Sequence, residues 1–218
     1  MWRSFSGSHA HLTRGTDHIR RYAPGYSPLI AYDDPARPDF ASLAPHCEPG
    51  ERFYCAEWRG PEPAGWKVEV DSSMCAMLWS APPPEPDESL GAVRLRAEHV
   101  PQMLSLTAIT RPGPFGDRTI ELGEWRGVFD CERLVAMAGE RLHAGNLREI
   151  SGICTLQEYQ GRGLAKRLTA LVVRAQLGRG QTPFLHVASS NARALELYRR
   201  MGFVVEREVV MRVVSRAA

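Results

Sequence analysis

The stretch Ile153-Cys154-Thr155-Leu156-Gln157-Glu158-Tyr159-Gln160-Gly161-Arg162-Gly163-Leu164-Ala165 decides how this chain is read. A strand-like run passes into a glycine-rich loop and then directly into a helix, whose apolar residues Leu164, Leu168, Leu171, Val172 and Ala175 recur at helical spacing. Gly178 and Gly180 mark the end of that helix. Glycines let the backbone approach an anion and take positive φ angles, while the first helical N–H groups have no intrahelical partner. Added to the helix dipole, this favours a pyrophosphate at the loop. There is no GxxxxGK[ST] for a nucleoside triphosphate and no full GxGxxG for a dinucleotide, so a different phosphate ligand is needed. A Gly-x-Gly turn also serves as a plain strand-to-helix connection, and the loop alone leaves that reading open.

Outward toward the C-terminus, a strand is predicted at 184–187. Asn191-Ala192-Arg193-Ala194-Leu195-Glu196-Leu197-Tyr198 then opens a second helix, 28 residues beyond Gly163, with Gly202 in the stop position. At about 1.5 Å of rise per residue, Asn191 and Tyr198 are roughly 10 Å apart along its axis and could touch two parts of one extended cofactor. As plain structure, Asn191 is an N-cap and Tyr198 a core aromatic. Residues 203–214 supply one or two final strands.

Toward the N-terminus, Trp125–Asp130, 133–142 and Leu147–Thr155 read as an antiparallel three-strand meander, with turns at Cys131-Glu132 and at His143-Ala144-Gly145-Asn146. Residues 98–109 read as a helix with Pro101 in its first turn, preceded by a weak strand at Val93 and Leu95. Four prolines in the seven residues Ala81-Pro82-Pro83-Pro84-Glu85-Pro86-Asp87 make an extended connector, and the domain boundary is expected there: 1–86 as one region, 87–218 as the other. Residues 1–80 carry short runs such as Arg52–Ala56 and Val68-Glu69-Val70, broken by proline and glycine, and predict short strands and loops.

Composition excludes several functions. The 218 residues are 44% hydrophobic with a net charge of +2, enough for a core and too mild for a nucleic-acid surface. Arginine outnumbers lysine 25 to 2, which reads as coding bias. The five cysteines form no CxxC, so neither a disulfide framework nor a metal site is expected. No run of 18 apolar residues and no signal-like N-terminus occurs, so no membrane span is expected and the reading places the protein in the cytoplasm.

Taken together, Gln160-x-x-Gly163-x-Ala165 and Asn191-x-x-Ala194-x-x-Leu197-Tyr198 resemble the GNAT superfamily of acetyl-CoA-dependent N-acetyltransferases. The resemblance extends through Thr110-Arg111-Pro112-Gly113-Pro114-Phe115, Gly139-Glu140-Arg141 and 149–155, and covers 91–214. It implies an α/β fold with a mixed, mostly antiparallel central sheet flanked by helices, and a divergent N-terminal half. It further implies that Ile153, Cys154 and Thr155 pair with the pantetheine arm of acetyl-CoA, and that Gln160, Gly161, Arg162, Gly163, Leu164, Ala165 and Lys166 hold the pyrophosphate. Asn191 would bond the pantetheine, and Tyr198 would give a proton to the leaving thiolate. Gln157 stands where many relatives have proline, and Ala165 where many have glycine.

The chemistry so implied is transfer of an acetyl group to a primary amine, with no metal. The attacking amine must be neutral, and an ordinary lysine amine has a pKa near 10.4, so a base is needed. Glu149 and His186 are the candidates. His186 aligns with a position that carries a catalytic glutamate in some ribosomal-protein acetyltransferases of the superfamily, and histidine as a residue type titrates near neutrality. A backbone N–H near Thr155 would stabilise the oxyanion. Cys154 as an acyl-carrying nucleophile ranks below direct transfer, because no histidine is placed by sequence to activate it. A non-catalytic acyl-CoA-binding module is the competing reading. The acceptor amine and the oligomeric state are not specified by the sequence.

Overall fold

Residues 1–217 are described by a computed structural model. In chain order its main elements are β1 (Thr13–Gly15), β2 (Ile19–Tyr22), β3 (Ile30–Tyr32), α1 (Phe40–Leu43), β4 (Arg52–Ala56) and β5 (Trp66–Trp79). They continue with β6 (Val93–Arg94), α2 (Val100–Thr110), β7 (Trp125–Asp130), β8 (Arg133–Ala144), β9 (Leu147–Thr155), α3 (Leu164–Gly178), β10 (Thr182–Ala188), α4 (Ala192–Met201) and β11 (Phe203–Arg216).

Eight strands form one sheet in the order β4-β11-β5-β10-β9-β8-β7-β6, with β9 and β10 parallel and every other neighbouring pair antiparallel. This is the mixed, mostly antiparallel sheet that the sequence predicts. Strands alternate their side chains between faces, and β8 shows the division. Ala136 and Ala138 pack with Leu168, Val172 and Val173 of α3, whereas Val135 and Met137 pack with Met103 and Leu106 of α2. Burying each such branched side chain stabilises the fold by roughly 1.5–3 kcal/mol.

Both helices after the glycine loop follow their local signals. Helix α4 starts at Asn191, whose side-chain oxygen accepts the Ala194 N–H at 3.0 Å, and stops at left-handed Gly202. The predicted helix at 98–109 and the meander are present as α2 and β7–β8–β9.

The N-terminal part holds the expected short strands as β1 to β4, Arg52–Ala56 among them, and departs from the expectation at one element. Strand β5 runs for 14 residues and lies between β10 and β11, so strands from both sides of the proline-rich connector share one sheet. The reason is tertiary: β5 opens on Trp-Lys-Val-Glu-Val-Asp-Ser-Ser, largely exposed, and gains its pairing from β11 along its whole length. Residues 203–216 form a single strand with a register shift between Val205 and Arg207. A separate sheet, β1-β2-β3, packs Ile19, Ile30 and Tyr32 against Phe53, Trp66 and Val214.

Candidate active site

The glycine loop is built by its neighbours. After β9 the chain makes a single turn at Gln157–Tyr159, passes through extended Gln160, and reaches Gly161 and Gly163 at φ of 80° and 75°. These are left-handed positions where a side chain would be strained. A Cβ placed on either glycine would meet nothing within 4 Å, so open space lies over the loop. Gly163 is the N-cap of α3 and supplies no side chain to the first N–H groups, and the first turn holds no acidic residue. The N–H groups of Leu164, Ala165 and Lys166 therefore keep their capacity for an anion.

Beside the loop the sheet opens. Strands β9 and β10 pair only where Leu147, Arg148 and Glu149 meet Thr182, Pro183 and Phe184, and then diverge. Beyond that point the side of β9 that faces β10 lacks a partner strand. A cavity of about 1010 Å³ fills the opening. Of the residues expected to hold a cofactor, Ile153, Cys154, Thr155, Gln160, Gly161, Gly163, Leu164, Ala165, Lys166, Asn191 and Tyr198 line it. Arg162 does not: its guanidinium stacks on the Tyr159 ring at 4.7 Å, and Tyr159 is itself tied to Asp130.

The two candidate bases meet. Glu149 is 1% exposed, accepts two hydrogen bonds from Arg141 at 2.8 and 2.9 Å, and lies 2.8 Å from His186 Nδ1. Burial pushes its pKa up, but the charge and hydrogen bonds of Arg141, with the His186 bond, outweigh that and hold the carboxyl well below the usual carboxylate range. A carboxylate so held accepts a proton poorly. Of the two, His186 lines the cavity, and with Nδ1 taken by Glu149 its Nε2 is the nitrogen left free. Glu149 stands behind it and fixes its tautomer.

Tyr198 comes from the last part of α4 and packs edge-on against Phe203 with ring centroids 5.9 Å apart. Burial pushes its hydroxyl up to about 12, so it holds its proton at neutral pH. Burial also pushes the Cys154 thiol up to about 11, which disfavours the nucleophilic thiolate. Asn191 lines the cavity while its Oδ1 caps α4, leaving its Nδ2 donors.

A strand junction open to a glycine-capped helix, with Tyr198 on one side and a Glu149-oriented histidine on the other, is geometry that can be compared with known proteins. A GNAT-family protein from Novosphingobium aromaticivorans is similar over 100% of this chain and 96% of its own, at 34% identity and a TM-score of 0.91. The chain belongs to the GNAT family. The family described as FR47-like protein matches residues 126–213, which hold the meander, the glycine loop and both site helices. At 15% identity, a GCN5-related N-acetyltransferase from Kribbella flavida shares the fold with a TM-score of 0.61, over 96% of this chain and 91% of its own. A GCN5-related N-acetyltransferase-like protein from Streptococcus suis does so at 14% identity and 0.59, over 91% and 84%. No curated protein matches the chain. GNAT membership indicates an acyltransferase.

Sequence reasoning missed part of this GNAT site. Tyr54, Ser72 and Met74 line the cavity from the N-terminal region, where no motif drew attention to them. Arg141 was legible only as part of Gly139-Glu140-Arg141; its pairing with Glu149 across the β8–β9 turn is a matter of register. Opposite charges flanking a hairpin turn were the available signal. Among the described residues no helix is long and apolar enough to cross a membrane, and no cluster of His, Cys, Asp or Glu is suited to a metal.

Proposed function

We propose that the protein transfers an acetyl group from acetyl-CoA directly to a primary amine. The observation that carries this reading is the cavity through the β9–β10 opening, with the glycine loop at one end and His186 at the other. The residues present fit the proposed cosubstrate. Free N–H groups and Lys166 at the start of α3, with Arg193 on α4, suit a pyrophosphate, and the unpaired side of β9 at Ile153, Cys154 and Thr155 suits an amide-bearing arm. Acetyl-CoA would supply the acyl group as a thioester.

His186, oriented by Glu149, takes the proton from the acceptor nitrogen at Nε2. Tyr198 presents a protonated hydroxyl toward the leaving sulfur. A backbone N–H of β9 near Thr155 supports the developing oxyanion. In this reading residues 1–86 contribute walls of the acceptor side, and 87–218 carry the acyl-donor side. The five cysteines are free and acetyl-CoA is a cytoplasmic metabolite, so the cytoplasm is the proposed compartment.

Calorimetric titration with acetyl-CoA and CoA tests the central claim. Micromolar binding by the native chain, lost in Gly163→Trp while the melting temperature falls only slightly, is expected. The indole would fill the open space over the loop, and the left-handed position costs about 1–2 kcal/mol. No binding of either ligand by the folded native protein would overturn the reading.

A further inference from the structure

The charged side chains that line the cavity are all basic. Among the described residues that line it there is no aspartate or glutamate, whereas Arg111, Arg141, Lys166 and Arg193 bring four permanent cations. Lys166 and Arg193 stand on the first turns of α3 and α4, at the glycine-loop end. The other two belong to the opposite face of the sheet. Arg141 is neutralised by Glu149. Arg111 ends α2 in the left-handed conformation, at φ 49° and ψ 54°, is exposed, and takes no ion-pair partner among the described residues. The rigid Pro112-Gly113-Pro114 segment that follows also lines the cavity.

The same face also carries Tyr54, Ser72 and a group of apolar side chains. In antiparallel pairs opposed residues share a face, so the register His186↔Ala76, Ala188↔Met74 and Val209↔Met74 places Met74 and Val209 on the His186 side. Met211, opposite Ser72, follows two residues on. Leu29, Ile109 and Leu142 complete this wall. Methionines fill irregular space and adapt to apolar bodies of differing shape.

A polycationic acceptor would meet the uncompensated charge of Arg111 and no carboxylate on the cavity wall, at a cost in repulsion and desolvation. An amine that carries its own carboxylate and an apolar body meets complementary groups at each point. We infer, resting on the acyl-transfer reading above, that the acceptor is a free apolar α-amino acid, its carboxylate bound by Arg111, its side chain lying against Met74 and Met211, and its amine presented to His186. The transfer balances: the C–N bond forms, the C–S bond breaks, and one proton passes from nitrogen to sulfur overall. The products are the N-acetyl amino acid and the free thiol.

The test is a thiol-release assay with acetyl-CoA and L-leucine, L-methionine, 3-methylbutylamine (leucine without its carboxylate) and spermidine, run beside the calorimetric titration. Leucine is expected to exceed 3-methylbutylamine in kcat/KM by about tenfold to a hundredfold, the range for a hydrogen-bonded charge pair. Arg111→Gln is expected to collapse that ratio toward unity and Arg111→Lys to keep part of it, with melting temperatures confirming that both variants fold. Equal rates for leucine and 3-methylbutylamine, preference for spermidine, or no turnover of either amino acid by protein that binds acetyl-CoA would each overturn the inference and leave the cofactor reading standing. Loss of acetyl-CoA binding itself would overturn both.

Discussion

At the residue scale, the Arg141–Glu149–His186 chain ties stability to the proposed proton transfer in a way that variants can separate. Glu149→Gln keeps the shape but leaves the Arg141 guanidinium, 12% exposed, without its counter-charge. Removing one partner of a buried pair costs about 3–5 kcal/mol, so a clear fall in denaturant midpoint is expected. Glu149→Gln combined with Arg141→Met removes the orphaned charge and is expected to recover most of that stability. Acetyl transfer is not expected to recover, because His186 Nδ1 still lacks the carboxylate that fixes its tautomer. Recovery of both together would mean that Glu149 serves the fold alone.

At the scale of elements, β9 shows how far a sequence can be read. Its span was legible as Leu147–Thr155, and so were α3 and α4, because glycines and an N-cap mark their ends and apolar spacing marks their faces. What apolar spacing does not announce is the irregularity within β9, whose one local mark is an isolated glycine inside the strand. Ser151 opposes Gly139 and Cys154 opposes Met137, so β9 spends one residue more than β8 between the same two points. Gly152 takes that extra step at φ 63°, and a Cβ there would lie 2.5 Å from Cζ3 of the buried Trp125. Gly152→Ala combines left-handed strain of about 1–2 kcal/mol with overpacking of about 1–3 kcal/mol, so the melting temperature should drop by several degrees. Because this bulge adjoins the cavity at Ile153, a weaker affinity for acetyl-CoA should accompany the loss of stability. The length of β5 was illegible for another reason: Val68-Glu69-Val70 reads as a short strand, and only pairing with a distant strand extends it to 14 residues.

At the scale of the whole molecule, the first residues are fastened to the eight-stranded sheet through buried His9 and half-buried His143. The His9 and His143 rings meet at a tilt of 46° with centroids 4.7 Å apart, His9 Nδ1 lies 2.6 Å from the Tyr22 hydroxyl, and Ser8 Oγ donates to the His143 carbonyl. Burial, reinforced at His9 by the charges of His143, His11 and Arg148 and at His143 by those of Arg148 and Arg179, depresses both imidazoles to about 4. Unfolded histidine titrates near 6.5, so between those values the unfolded chain binds more protons than the folded one. Their stabilising contribution is present above pH 6.5 and is lost as pH falls toward 4. Urea midpoints measured between pH 7.5 and 5 should decline, and the decline should be shallower in His143→Phe. A flat profile would mean that the pair is solvated.

The insertion of β5 between β10 and β11 also has a consequence for biosynthesis. Its hydrogen-bonding partners begin at Thr182 and Phe203, about a hundred residues after β5 itself ends at Trp79. On a ribosome adding about 5–20 residues each second, the emerging strand waits on the order of ten seconds with both edges bare. The sheet cannot close until β11 leaves the exit tunnel, so its folding is dominated by distant pairings. During that interval a 14-residue unpaired strand is the part of the nascent chain that a chaperone would have most reason to shield.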